Sequence, residues 1–279
     1  MNSRTIVVGY DGSADADRGL DWAIEHARPR GLGIEVISSS GDLSYLPERT
    51  SSEAEAMARG WADQAAARLE GSGLTDWHTR CSEGKAVPDL LEASREASMV
   101  AIGARGHGVL AGFVIGSVSQ HVTRHASCPV AVVRGSRDPN ARRVVVGVAG
   151  SPDDQRTLAF AFDVAQVQGA TVVAVHGRDV SAVNGPWDVD VSPAVADEMA
   201  RAERLLAEAV AGVKQEYPDV PVELAPMPLP AAQALASAST RASLVVVGTR
   251  GRGGFVGLLL GSVSSTALQH AECTVVVAR

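Results

Sequence analysis

The chain begins with a short, apolar and largely β-branched run at 6–8, and a second run of the same kind stands at 144–146. Runs this brief and this apolar do not suit an exposed helix and predict strands buried on both faces. The period then changes. Leu20, Ala23, Ile24 and Ala27 recur at helical spacing, and Gly31 and Gly33 mark the expected stop. Second strands are predicted at 34–38 and 171–176, followed by polar loops and helices near 52–70 and 194–215. In the former helix, Ala54, Met57, Trp61, Ala65 and Leu69 define one apolar face. Brief third strands follow at 77–81 and 222–225, helices at 87–97 and 231–241, and fourth strands at 99–103 and 244–248. Each half closes with a helix, near 117–126 or 262–271, and a fifth strand at 130–133 or 275–278.

The two halves are copies of one another. Val100–Gly106 reads VAIGARG and Val245–Gly251 reads VVVGTRG; Gly116-Ser117-Val118-Ser119 returns as Gly261-Ser262-Val263-Ser264. His125-Ala126-Ser127-Cys128 returns as His270-Ala271-Glu272-Cys273, at the same offset of 145 positions (116 to 261). Near the start of each copy the offset is 138, since Gly9-Tyr10-Asp11-Gly12-Ser13 matches Gly147-Val148-Ala149-Gly150-Ser151. The difference places an insertion in the loop around 178–195. A repeat on this scale means one fold written twice.

Strands alternating with helices require parallel sheets with right-handed crossovers and helices on both faces. The expected fold is therefore α/β: two tandem, doubly wound parallel-sheet domains at 1–135 and 144–279, joined by a polar linker at 136–143.

Composition narrows the functions open to such a fold. At 279 residues, 46% hydrophobic and 20% charged, the chain is an ordinary globular sequence long enough for two cores. A net charge of −7 and pI near 5.5 argue against general affinity for nucleic acid or an anionic membrane. No signal peptide or membrane span is legible. Cys81, Cys128 and Cys273 are odd in number, dispersed and without a C-x-x-C pair. They fit small thiols in a reducing cytoplasm better than a disulfide framework or a zinc site.

Two loops carry chemistry. Doubly wound sheets bind ligands at the carboxyl ends of their strands, where the strand order reverses. After strand four come Gly103-Ala104-Arg105-Gly106, nine residues, then Gly116-Ser117; the second copy repeats this as Gly248-Thr249-Arg250-Gly251, nine residues, Gly261-Ser262. Glycine permits close backbone approach and positive φ, so amide N–H groups can converge on phosphate oxygens. Gly116-Ser117 then opens a helix whose N-terminal N–H groups and dipole favour an anion. Ser117 and Ser262 add hydroxyls, and Arg105, Arg250 and His107 are candidate cations. The blander reading, a tight turn with serine caps, loses ground because the nine-residue interval occurs twice. The second loop, after strand one, holds Asp11, an acceptor suited to ribose hydroxyls; alternatively Asp11 or Ser13 only caps the next helix. His125 and His270, late in their helices, read as packing or helix-end residues. There is no Walker-type phosphate loop, and no nucleophile triad repeats with a persuasive spacing.

G-x-x-G, nine residues, G-S, followed by V-S-Q-x-V-x-x-H-A-x-C-P-V, resembles the ATP-binding subgroup of the universal stress protein family, one domain per half. The resemblance implies five-stranded sheets of order 3-2-1-4-5, Rossmann-like or flavodoxin-like, ATP (with Mg²⁺) at the switch point, and pairing of domains through strand five. Here that pairing would be intramolecular, with a homodimer also open. Carried onto this chain, it implies that Asp11 holds the ribose and that backbone near Ser39 meets the adenine. Gly103, Arg105, Gly106, Gly116, Ser117 and Val118 would line the phosphates, as would Gly248, Arg250, Gly251, Gly261, Ser262 and Val263 in the second copy. That copy departs at Ala149 (for Asp11), Leu229 (opposite Gly84) and Thr274 (for Pro129). Losing a charged hydrogen-bonding partner costs about 1.5–3 kcal/mol, or roughly ten- to a hundredfold in affinity. Two unequal sites are therefore expected, with Asp153 or Asp154 as possible compensation. The expected function is nucleotide-dependent regulation in a stress response, without a dedicated catalytic reaction. A slow Mg²⁺-dependent ATPase or phosphotransferase and a nucleotide-free interaction scaffold are the alternatives.

Overall fold

The computed structural model describes residues 4–41, 50–106, 115–135, 138, 140–180, 193–249, 251 and 260–279. The chain divides into two compact units, Met1–Gly135 and Ser136–Arg279.

In unit 1 the elements run β1 (Thr5–Gly9), α1 (Ala14–Ala27), β2 (Gly33–Ser39), α2 (Ser51–Glu70), β3 (Trp77–Ser82), α3 (Ala86–Ala93), β4 (Met99–Gly103), α4 (Ser117–His125) and β5 (Val130–Val133). Every pairing is parallel. β1 lies between β2 and β4, β3 flanks β2 and β5 flanks β4, giving the order 3-2-1-4-5. Unit 2 repeats it with β6 (Arg143–Gly147), α5 (Asp154–Gln168), β7 (Thr171–Gly177), α6 (Pro193–Glu216), β8 (Val222–Met227), α7 (Ala231–Ser239), β9 (Leu244–Gly248), α8 (Ser262–His270) and β10 (Thr274–Ala278). Its order is 8-7-6-9-10, again parallel throughout.

The β-branched runs form the central strands because a parallel sheet covered on both faces has no solvent side. Ile6, Val7 and Val8 are buried, as are Val144, Val145 and Val146. α1 lays Leu20, Ala23, Ile24 and Ala27 on the sheet as its spacing predicts. Each buried Val, Ile or Leu side chain among these is worth about 1.5–3 kcal/mol. Three local readings change. After α1 a 3₁₀ turn, Arg28–Arg30, intervenes before Gly31, whose φ of +59° makes the stop, while Gly33 belongs to β2. α3 ends at Ala93, where the Ser94 hydroxyl bonds the Leu91 carbonyl, rather than at 97. The buried face of α2 is Ala58, Ala62, Ala65 and Leu69, rotated from the predicted one. That rotation brings Trp61 over the β1–α1 turn, with its Cδ1 2.4 Å from where a Cβ on Gly12 would lie. Gly12 also holds a φ of +74°, so no other residue suits both demands.

Candidate functional site

β1 is where the strand order reverses in unit 1, since its neighbours β2 and β4 continue on opposite sides. The loops leaving β1 and β4 therefore flank a crevice at the carboxyl edge, where folds of this class place ligands.

Ser13 is the N-cap of α1: its Oγ accepts from the Ala16 N–H at 3.2 Å. The same hydroxyl lies 3.3 Å from the Arg105 carbonyl, tying the β1 loop to the β4 loop. Asp11 is held by the Ser13 N–H, which donates to its Oδ1 at 3.1 Å. Its other oxygen sits against Gly106, only 2.2 Å from where a Cβ there would be. The capping alternative thus resolves between the two residues. Ser13 caps the helix, and Asp11 presents a half-buried carboxylate beside the glycine loop.

Gly103 has a different reason to be glycine. A Cβ there would meet the Asp15 carbonyl carbon at 2.5 Å, so it lets the first turn of α1 close onto the end of β4. Asp15 is buried and its Oδ2 accepts from Arg105 Nε at 3.2 Å, with Arg18 3.4 Å from its other oxygen. Arg105 is therefore anchored by one nitrogen while its side chain stays 55% exposed. A guanidinium carries five N–H donors, so the anchor positions it without exhausting it.

Gly116 is the N-cap of α4 in an extended conformation; its N–H bonds the Ala104 carbonyl at 2.8 Å. No side chain caps this helix, and its first turn, with Ser117 and Val118, holds no acidic residue. The Ser119 hydroxyl donates to the Gly103 carbonyl at 2.7 Å and clamps the helix start to the strand end. Unit 2 repeats each feature. Gly261 bonds the Thr249 carbonyl, Ser264 bonds the Gly248 carbonyl at 2.6 Å, and α8, opening with Ser262 and Val263, has neither a side-chain cap nor an acidic first turn. Sequence reading passed over Ser119 and Ser264, although their recurrence after each G-S-V was visible. His107 and Arg250 lie outside the described residues.

Unit 2 differs at its β6 loop. Gly251 faces the Ala149 methyl group, 3.4 Å from where a glycine Cβ would lie, in the place Asp11 holds in unit 1. Asp154 does not fill that role. It is buried, its Oδ2 accepting from the N–H groups of Ala149, Gly150 and Ser151 at 3.1, 2.6 and 3.0 Å, and its Oδ1 from the Ser151 hydroxyl at 2.9 Å. The carboxylate is turned into its own loop. Asp153 stands at the N-cap of α5 without a side-chain cap bond.

Ser39 ends β2, and its hydroxyl donates to Asp89 Oδ2 at 2.8 Å. Tyr10 turns away from the crevice to donate to Asp17 at 2.5 Å, and burial, then Asp17, pushes its hydroxyl well above the usual phenol range. His125 bonds a carbonyl of its own helix, that of His121, at 2.9 Å, and His270 stands exposed in the last turn of α8. Among the described residues, no group of three or more His, Cys, Asp or Glu could hold a metal ion, and no helix is long and apolar enough to cross a membrane.

The sequence signature of the Universal stress protein family matches residues 2–134 and again 140–279. The chain belongs to that family. It is 37% identical to universal stress protein Rv2005c of Mycobacterium tuberculosis over 292 aligned positions, covering 98% of this chain and 96% of that one. To universal stress protein Rv2623 of the same species it is 33% identical, over all of this chain and 97% of the relative. The crystal structure of a universal stress protein from Archaeoglobus fulgidus, 19% identical, covers 100% of the chain and 99% of its own with a TM-score of 0.67, a likeness of fold.

Proposed function

We propose that unit 1 binds an adenine nucleotide, ATP with Mg²⁺, and that the chain is a nucleotide-dependent regulatory protein of the stress response without a dedicated catalytic reaction. The observation that carries this reading is the pairing, across Gly106, of a positioned carboxylate with a helix start that no side chain caps. Asp11 offers acceptors to ribose hydroxyls. Gly106 leaves room for that carboxylate beside the loop, and the first amides of α4 with its dipole favour the negative charge of the phosphates. Ser117 adds a donor, and Arg105 reaches the same edge from its Asp15 anchor. Mg²⁺ ordinarily binds through substrate phosphates, waters and one or two carboxylates, so the nucleotide itself would bring most of its ligands.

Phosphoryl transfer would need a positioned base and a cationic clamp. Of the unit 1 carboxylates beside the loop, Asp15 is committed to Arg105 and Arg18, and Asp11 has no counterpart in unit 2. Both points favour binding over turnover. Cysteines kept as thiols rather than disulfides, Cys81 exposed and Cys128 and Cys273 buried, suit a cytoplasmic protein. Unit 2 keeps the α8 start but not the acidic group, so its site is the weaker of the two.

The test is whether the purified full chain carries nucleotide. After denaturation, mass spectrometry is expected to detect an adenine nucleotide in wild-type protein and to find it depleted in Asp11→Ala. Nucleotide-free wild-type protein that also gives no heat on addition of ATP and Mg²⁺ would overturn the proposal.

A further inference from the structure

The strand order fixes which way a nucleotide lies in unit 1. On one side of β1 stand β4 and α4, where the phosphates go; on the other stands β2. Gly9 pairs with Ile37, so Asp11 and Ser39 each stand two residues beyond a matched pair, on neighbouring strand ends. A ribose at Asp11 with its phosphates toward α4 must direct its base over the end of β2.

Backbone donors there are already engaged. The Ser40 N–H bonds the Ser82 carbonyl and the Gly41 N–H bonds the Gly84 carbonyl, both at 2.9 Å. A side-chain acceptor stands at the same edge. Asp89, in the first turn of α3, is brought to this edge by its 2.8 Å bond from Ser39 Oγ, and its other oxygen lies beside Gly84, 2.9 Å from where a Cβ would be. A carboxylate has about four acceptor sites, and the Ser39 hydroxyl takes one. In unit 2 the corresponding positions are Gly177 and Ala234, which offer no side-chain acceptor. The loop at 229–231 lies over that strand end, with Ala231 Cα 2.6 Å from where a Gly177 Cβ would be.

We propose that Asp89 is the base-selecting residue of unit 1: its carboxylate accepts the exocyclic amine of adenine and disfavours a base that puts a carbonyl oxygen there. This rests on the nucleotide reading above. It accounts for a carboxylate pinned at the edge of a site whose ligand is itself an anion. The partner that overcomes that repulsion is a hydrogen-bond donor on the uncharged end of the ligand.

Calorimetric titration of the full chain with ATP and with inosine triphosphate, in which a carbonyl replaces the amine, tests it. Wild type is expected to prefer ATP by at least about tenfold, the usual cost of setting an unmatched acceptor against a charged group. Asp89→Asn, which keeps the shape and can donate to a carbonyl, is expected to bring the two affinities together, as is Asp89→Ala should the first variant fold poorly. Ser39→Ala removes the pin but leaves the carboxylate, and is expected to keep a preference for ATP. Equal wild-type affinities, or an unchanged preference in folded Asp89 variants, would overturn the assignment while leaving nucleotide binding intact. No heat with either nucleotide would instead overturn the nucleotide reading itself.

Discussion

A single missing methyl group decides how the phosphate loop and the acidic loop of unit 1 meet. Asp11 Oδ2 occupies the space a side chain on Gly106 would need, so Gly106→Ala must displace the carboxylate or the loop. Removing one charged hydrogen-bonding partner costs about 1.5–3 kcal/mol. Gly106→Ala is thus expected to weaken ATP binding about tenfold or more, and thermal unfolding should barely move, because Gly106 lies at the surface of the crevice rather than in the core. Binding at full strength would mean that the carboxylate is not where the ribose sits. At this scale much was legible from sequence. Gly103, Gly106 and Gly116 stood out through repetition, and Asp11 through its place after the first strand. The roles within that set were not legible. That Gly103 serves helix packing while Gly106 serves the carboxylate depends on how α1 closes on β4, and the Arg105–Asp15 and Ser39–Asp89 pairs join residues 90 and 50 positions apart. Nothing in the local pattern announces such pairs. Asp154 misled for the same reason: residue type suggested a substitute for Asp11, whereas the loop's own amides claim it.

At the scale of elements, β-branched runs made the strands easy to read, because burial on both faces leaves a continuous apolar stretch. Helix ends were harder. α3 stops early through a serine-to-carbonyl bond, and the 3₁₀ turn after α1 depends on Pro29 and Gly31 acting together. α1 also carries a pH dependence. His26, in its last turn, stacks on Trp22 with ring centroids 4.9 Å apart. Burial, assisted by the nearby Arg30 charge, lowers its pKa to about 3. The folded protein therefore keeps His26 neutral, while the unfolded chain takes up a proton below about pH 6.5. The stability at stake is fully present above that pH and is lost progressively as pH falls toward the folded-state value. Between about pH 7.5 and about pH 5 the loss from this group amounts to about 2 kcal/mol. Urea unfolding at the two pH values should show it, and His26→Gln should flatten the difference. An equal acid loss in that variant would assign the effect to other groups.

On the scale of the whole molecule, two copies of one fold have kept the same frame and diverged at the crevice. Both units retain a parallel sheet, a glycine with φ of +74° after the first strand, and a serine clamping the fourth helix to its strand. Among the described residues, unit 1 alone places an acidic side chain against the loop glycine, and unit 2 has folded its nearby carboxylate inward. The duplication and the loss of the Asp11 carboxylate from the second copy could be read from the residues, because substitutions stand out against a repeat, whereas the strand order came only through the family resemblance. The inward turn of Asp154 could not, since it depends on three backbone amides converging.

Calorimetry of the full chain with ATP and Mg²⁺, run on wild type and on Asp11→Ala, tests the central claim most directly. One tight site per chain, weakened roughly ten- to a hundredfold by the substitution, is the predicted result. Two equivalent sites, or a wild-type isotherm that Asp11→Ala leaves unchanged, would contradict it.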